Sequence, residues 1–344
     1  MASFTTALRQ GASVAACLAV LAAALACPAT ANAQPYRRIV SLYPAHAENL
    51  AAMGAADLLV GVSEPLAHAP QSGRSLAGQP LAGQPRAGQP TDGSASADAP
   101  RAGVGMAGPA VAGVPIVGAR DGAEAVAALK PDLVLARPMH RTMRPGFLEQ
   151  LERLGIAVVC LQPLHPGELE PYWLELGRLS GREAQARDMT ARFRQDIEDI
   201  RACLGHIPAQ ERKKVFFESI HRQMKTVSPG SMAAFVLESA GGLNLAAEAR
   251  PVEGTTIAHF GLERTVALGD SLDVYLAQRG PMNPVTLEEI RATPGFSGLK
   301  AVREGRVFLV DEALTSRPTP RLAEGVRAVA AILYPGRCPD GGKR

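Results

Sequence analysis

The sequence predicts an α/β protein: two Rossmann-like lobes with parallel sheets, joined by a single long backbone helix. Three observations carry that expectation. Short apolar runs alternate with helix-spaced segments on both sides of the chain's middle, the pattern of βα units. Between them, from Arg182 to Leu204, Met189, Phe193, Ile197, Ile200 and Leu204 fall at spacings of four, four, three and four among charged and polar residues, one buried stripe on a long helix. With 344 residues, 47% hydrophobic and 20% charged, the chain is also long enough to bury a core in each of two lobes. A stiff helix between lobes fixes their separation, and the cleft between them becomes the expected ligand site.

The first thirty-three residues read as a secretory signal. Arg9 precedes an apolar run from Gly11 to Ala26, and Ala31-Asn32-Ala33 places small residues where a signal peptidase cuts, ahead of Gln34. The run is shorter than the roughly 20 residues of a spanning helix. Cys27 offers a second route, lipid attachment after a loose lipobox, Ala24-Leu25-Ala26. Beyond this leader stand Cys160, Cys203 and Cys338, enough for one disulfide and without zinc-type spacing.

The first lobe spans 34–167. A β-rich run, Arg37 to Tyr43, ends at Pro44 and gives way to a helix closing at Gly54, then a strand from Leu58 to Val62. Residues 66–114, with Leu76-Ala77-Gly78-Gln79-Pro80 and two near-repeats, have a low-complexity composition that cannot bury a core and read as an inserted loop. Helix 123–129, the apolar strand Asp132 to Ala136, helix 146–154 and strand Ile156 to Leu161 complete the lobe. Residues 168–207 are the helical connector. The second lobe, 208–344, opens with strand Lys214 to Ile220 and helix 231–241, followed by a polar loop. It continues through helix 261–268, strand Leu272 to Ala277, helices 286–292 and 297–303, strand Arg306 to Val310 and a terminal helix 320–333.

A net charge of +3 with no Lys/Arg cluster among aromatics argues against nucleic acid. No Gly-rich phosphate loop, nucleophile elbow or HExxH motif is present, so no enzymatic activity is expected.

Several stretches, in order, resemble the periplasmic solute-binding proteins that deliver cobalamin and ferric siderophores to ABC importers. They are Ile39-Val40-Ser41-Leu42-Tyr43-Pro44 with Glu48; Gly54 to Ser63; Glu124 with Ala128 to Leu135; Gly241-Gly242-Leu243-Asn244; and Ala301 to Val307. The resemblance implies two lobes bridged by a rigid helix, a shallow cleft with little closure, a periplasmic monomer, and an ABC permease dimer with its ATPase subunits as partner. It also implies that Glu124 and Glu263, one on each lobe, present carboxylates to arginines of the permease. The chain departs from the family at Ala47, where Thr is frequent, and after Ser63, where Glu64-Pro65-Leu66 and the insertion replace a ligand-contacting loop of cobalamin binders.

Ligands of parallel sheets lie beyond the carboxyl ends of strands. That rule selects Tyr43, His46, Arg137, His140, Glu218, His221, Tyr275, Gln278 and Arg317, with Lys225 in the loop after Ile220. Two readings stay open. In one, Arg137 and Arg317 grip the carboxylate or phosphate oxygens of a metal-organic cargo, a ferric siderophore, corrinoid or haem-like compound, while Tyr43 and Tyr275 stack on it and Lys225 adds charge. In the other, His46, His140 and His221, with Glu218, ligate a bare transition-metal ion. No intrinsic cofactor is expected; iron or cobalt would arrive within the cargo.

Overall fold

The computed structural model describes residues 34–63 and 113–338; the expected leader, Cys27 and nearly all of the 66–114 insertion lie outside them. The first half begins with β1 (Ile39–Ser41), α1 (Pro44–Ala52) and β2 (Leu59–Val62). It continues with α2 (Ala123–Ala128), β3 (Leu133–Ala136), α3 (Met139–Met143), α4 (Phe147–Arg153) and β4 (Ala157–Cys160). Its four strands run parallel in the order β2-β1-β3-β4. All four residues of β3 are buried, as its unbroken apolar run requires of a strand covered on both faces.

Two helices follow, α5 (Leu169–Ser180) and α6 (Glu183–Leu204). The chain turns between them on Gly181, whose φ of 68° is a conformation that costs glycine nothing. At Gly177 a Cβ would meet the Ala186 Cβ at 2.6 Å, so only glycine lets the two helices approach this closely. The stripe read from the sequence is the buried face of α6: Met189, Phe193, Ile197, Ile200 and Leu204, joined by Ala186 and Thr190.

The second half contains β5 (Lys214–Ile220), β6 (Lys225–Val227), α7 (Met232–Ser239), β7 (Leu243–Asn244), β8 (Arg250–Pro251), β9 (Ile257–His259) and α8 (Leu262–Ala267). After these come β10 (Val274–Arg279), α9 (Leu287–Ala292), α10 (Lys300–Arg303), β11 (Val307–Asp311), α11 (Glu312–Thr315) and α12 (Leu322–Leu333). Helix α7 starts where Ser231 caps the Ala234 N–H, and α9 carries a reciprocal capping box between Thr286 and Glu289.

Strands β11, β10, β5 and β7 are parallel, as expected, but the sheet continues β5-β6-β9-β8 with antiparallel pairing. The stretch after Gly242 is therefore a small ladder and not the polar loop expected. Its strands are two or three residues long, too short for alternation to register. Met224, with φ of 45°, makes the tight reversal between β5 and β6.

The described residues from Tyr36 onward form one compact unit. A single apolar cluster holds Ile39, Leu133 and Leu135 of the first sheet, Trp173, the α6 stripe, and Val215, Phe217, Val274 and Leu276 of the second. Polar bonds cross the same interface. The Pro318 carbonyl accepts from Trp173 Nε1 at 3.2 Å and from Asn49 Nδ2 at 3.0 Å. Arg317 Nη1 lies 2.7 Å from Glu48 Oε1, with side chains only 15% and 12% exposed. Cys203 at the end of α6 is disulfide-bonded to Cys338, leaving Cys160 free.

His46, expected in the cleft, is instead a core residue. It sits on α1 with 0% exposure, edge-on to the Tyr43 ring at 5.1 Å, and its Nε2 lies 3.0 Å from the Leu161 carbonyl. A carbonyl only accepts, so Nε2 carries the ring proton. The reason is helical register: the residue three after Tyr43 on α1 faces the sheet. Burial pulls its pKa down to about 3.

Two outcomes follow from this packing. The bridged cysteines are separated by 135 residues, so Cys203→Ser with Cys338→Ser should lower unfolding stability by about 5 kcal/mol in the chain-entropy limit. An unchanged denaturant midpoint would show that the bridge constrains nothing. For His46, the unfolded chain takes up a proton below pH 6.5 while the folded chain resists until about pH 3, so stability falls as pH drops through that window. Denaturation curves from pH 6 to 4 should fall more steeply for wild type than for His46→Gln, by about 1 kcal/mol per pH unit; parallel curves would place the proton uptake elsewhere.

Candidate functional site

Segments that follow strands of the two sheets meet at the Glu48–Arg317 pair: Glu48 lies on α1 after β1, and Arg317 lies beyond β11 and α11. On the first half, Tyr43 stands two residues beyond β1, at the start of α1, and its ring lies 4.7 Å beneath the Arg137 guanidinium. Burial pushes the Tyr43 phenol up to about 12, so it remains a neutral hydroxyl. Arg137 Nε donates to Gln162 Oε1 at 3.0 Å. Held flat by the ring and the amide, Arg137 has both Nη groups without a hydrogen bond among the described residues. Gln162 was missed at the sequence level, although it stands just beyond β4 where the carboxyl-end rule points.

His140, half-buried on α3, receives the Arg137 backbone N–H at Nδ1, at 2.9 Å; the Arg137 carbonyl is farther, at 3.2 Å. The shorter contact puts the ring proton on Nε2. Burial lowers the His140 pKa.

On the second half, His221 follows β5. Its Nδ1 is 2.8 Å from Glu218 Oε2, its Nε2 is 3.2 Å from Thr293 Oγ1, and its backbone N–H donates to Asn283 Oδ1 at 2.9 Å. The Thr293 hydroxyl spends its own hydrogen on the Glu289 carbonyl, so it accepts from the imidazole. Both ring nitrogens then donate, which is the protonated form, and the Glu218 hydrogen bond raises the His221 pKa accordingly.

Two expected contacts are corrected. Glu218 is fully buried and accepts from the Tyr275 hydroxyl as well as from His221, so it supports the site from beneath instead of touching cargo. Tyr275 is fully buried, packed against Phe216 at 5.4 Å and Phe296 at 5.6 Å, and has no face left for stacking. It stands near the start of β10, away from the carboxyl end. Arg317 is at the cleft, but its charge is already opposed by Glu48.

The metal trio does not assemble. His46 is inside the core, His140 Nδ1 is occupied by a backbone N–H, and His221 offers no lone pair while both nitrogens donate. Among the described residues, no group of three His, Cys, Asp or Glu side chains is placed to hold an ion. What the strand ends do expose is thioether: Met139 and Met143 on α3 after β3, and Met282 in the turn after β10, with Met143 and Met282 70% and 69% exposed. Lys225 begins β6, partly exposed. Glu124 and Glu263 are exposed, each the second residue of a six-residue helix whose N-cap is a glycine.

The chain is 28% identical over 214 residues, 62% of its length, to an uncharacterized ABC transporter substrate-binding lipoprotein, YvrC, of Bacillus subtilis. It is 29% identical over 127 residues, 37% of its length, to the vitamin B12-binding protein of Yersinia pestis. The matches span 65% and 44% of those relatives' own lengths. Among solved structures, a possible iron-binding periplasmic solute-binding protein from Staphylococcus epidermidis superposes with a TM-score of 0.64 at 22% identity, covering 88% of this chain and 100% of that one, and so shares the fold. The periplasmic binding protein family profile matches residues 39–314. That match runs from the first strand of one sheet past the last strand of the other, and the chain belongs to the periplasmic binding protein family.

Proposed function

We propose that this chain is the extracytoplasmic solute-binding component of an ABC importer and that it captures a metal-organic complex between the two sheets. The observation that carries the cargo class is the Arg137 guanidinium, clamped on Tyr43 and Gln162 with its Nη fork unspent. A planar fork held in place recognises a carboxylate or phosphate with little further entropy loss. The exposed methionines that follow β3 and β10 suit the apolar faces of a ferric siderophore, corrinoid or haem-like ligand, because thioether chains adapt to irregular surfaces. The histidine geometry disfavours the bare-ion alternative, in which His46, His140 and His221 would need free lone pairs. Family membership and the names of the Bacillus and Yersinia relatives support the import role.

Delivery would be to a permease dimer and its ATPase subunits by a monomer, with Glu124 and Glu263 as the docking charges. A periplasmic location accords with the family and with the signal-like leader. The lipoprotein relative keeps anchoring through Cys27 as the rival route. Among the described residues no helix is long and apolar enough to cross a membrane.

Titration of the purified mature chain with haemin, cobalamin, a ferric siderophore and the free Fe and Co salts, read by absorbance and thermal shift, tests the cargo class. One of the chelates should saturate the protein and raise its Tm, and Arg137→Gln should weaken that binding at least tenfold, the scale of one charge-assisted bond. Saturation by bare ions alone would overturn the reading. Glu124→Ala with Glu263→Ala should leave cargo affinity intact while slowing uptake in cells several-fold, because docking charges act on the partner and not on the ligand. Uptake at the wild-type rate would remove the docking assignment.

A further inference from the structure

Strand register in the second sheet lines up three basic side chains. Lys225 of β6 pairs with His259 of β9, and His259 pairs in turn with Arg250 of β8. Residues directly opposite in a ladder project from the same face, so the three stand side by side across about 10 Å, two strand spacings. Elsewhere in the fold cations pair with carboxylates: Lys300 with Asp273, Arg327 with Asp196, Arg317 with Glu48. Lys225, His259 and Arg250 form no ion pair or hydrogen bond through their side chains among the described residues.

The row also lies at a meaningful edge. Lys225 pairs with Ile220, the last residue of β5, and the next residue is His221 at the cleft. Two pairs further in, Val227 and Ile257 share the face, and Val227 joins the core, so the row sits where that core stops and the cleft begins. The opposite face of the ladder is closed, with Thr226 and Ala258 buried.

We propose that Lys225, His259 and Arg250 form an anion subsite flanking the cleft, one that takes a carboxylate or phosphate arm projecting from the cargo. This rests on the chelate-binding reading and adds to it: Arg137 meets the chelate on the first half, while the ladder meets a second acidic group on the other. The cargo is then a chelate with at least two separated anionic groups. Arginine supplies a bidentate fork, lysine a point charge, and the imidazole an N–H donor between them.

The test uses the purified mature chain with bare anions as probes, pyrophosphate for the phosphate arm and citrate for the carboxylate arm, measured by isothermal titration. At least one should bind saturably. Lys225→Gln with Arg250→Gln should weaken it at least tenfold, while the same loss of charge on the exposed face of α6, Arg187→Gln with Arg192→Gln, should change it less than twofold. Equal losses in the two variants would reduce the effect to net charge and overturn the subsite. So would no binding of either anion, or attachment to phosphatidylglycerol vesicles without binding of either soluble anion. Because the probes contain no metal chelate, these failures leave the Arg137 reading standing, and failure of the chelate titration leaves the ladder result readable.

Discussion

The constraint on which everything else depends is the burial of one face of α6 in a core shared by both sheets. Met189, Phe193, Ile197, Ile200 and Leu204 are all withdrawn from water into the cluster that also holds Leu133 and Leu276. At roughly 2 kcal/mol for each large apolar side chain, that stripe contributes on the order of 10 kcal/mol before chain entropy is counted. The hydrogen bonds to the Pro318 carbonyl are worth about 1 kcal/mol each. Hydrophobic burial therefore holds the halves together, and the bonds from Asn49 and Trp173 fix their angle. A hinge that closed on cargo would have to pull this stripe out of its core. The geometry of the strand ends is set before any ligand arrives.

Within that fixed frame, the charges available to the proposed cargo are the ones the fold leaves unspent. Glu48 opposes Arg317, and Glu218 with Thr293 engages both nitrogens of His221. Glu48 and Arg317 come from opposite halves and stand at the cleft with side chains almost covered, which makes the pair part of the floor. Arg137 differs because its partners, Gln162 and the Tyr43 ring, orient it without neutralising it. Neighbouring arginines that look alike in the sequence are thus divided by whether a carboxylate reaches them.

The long helix, the βα alternation and the buried parallel strands were legible in the sequence because each has a period, 3.6 for α6 or an unbroken apolar run for β3. The β8–β9 ladder was not, since two-residue strands carry no period and Arg250–Pro251 reads as loop; its order comes from pairing with β6. For the site, the carboxyl-end rule selected Tyr43, Arg137 and His221, which lie just beyond their strands, but also Tyr275 and Glu218, which precede the ends of their strands and are buried. His46 was selected too and is buried for a related reason: the helix after a strand end turns one face back into the core. Sequence gives proximity to a strand end, and only the direction of the side chain separates support from contact.

A rigid cleft also constrains how specificity can arise. With the halves pinned by α6, cargo of the proposed site would be discriminated by fit to preset groups, and the ordering cost of binding would fall on the ligand and on few side chains. Arg137 is already stacked, so its fork loses little freedom on contact. The exposed methionines at the strand ends keep theirs, and they can follow the contours of different apolar surfaces. On the proposed site, fixed charge beside adaptable thioether would therefore select strictly for where an anionic group lies on the cargo and loosely for the shape of its apolar body.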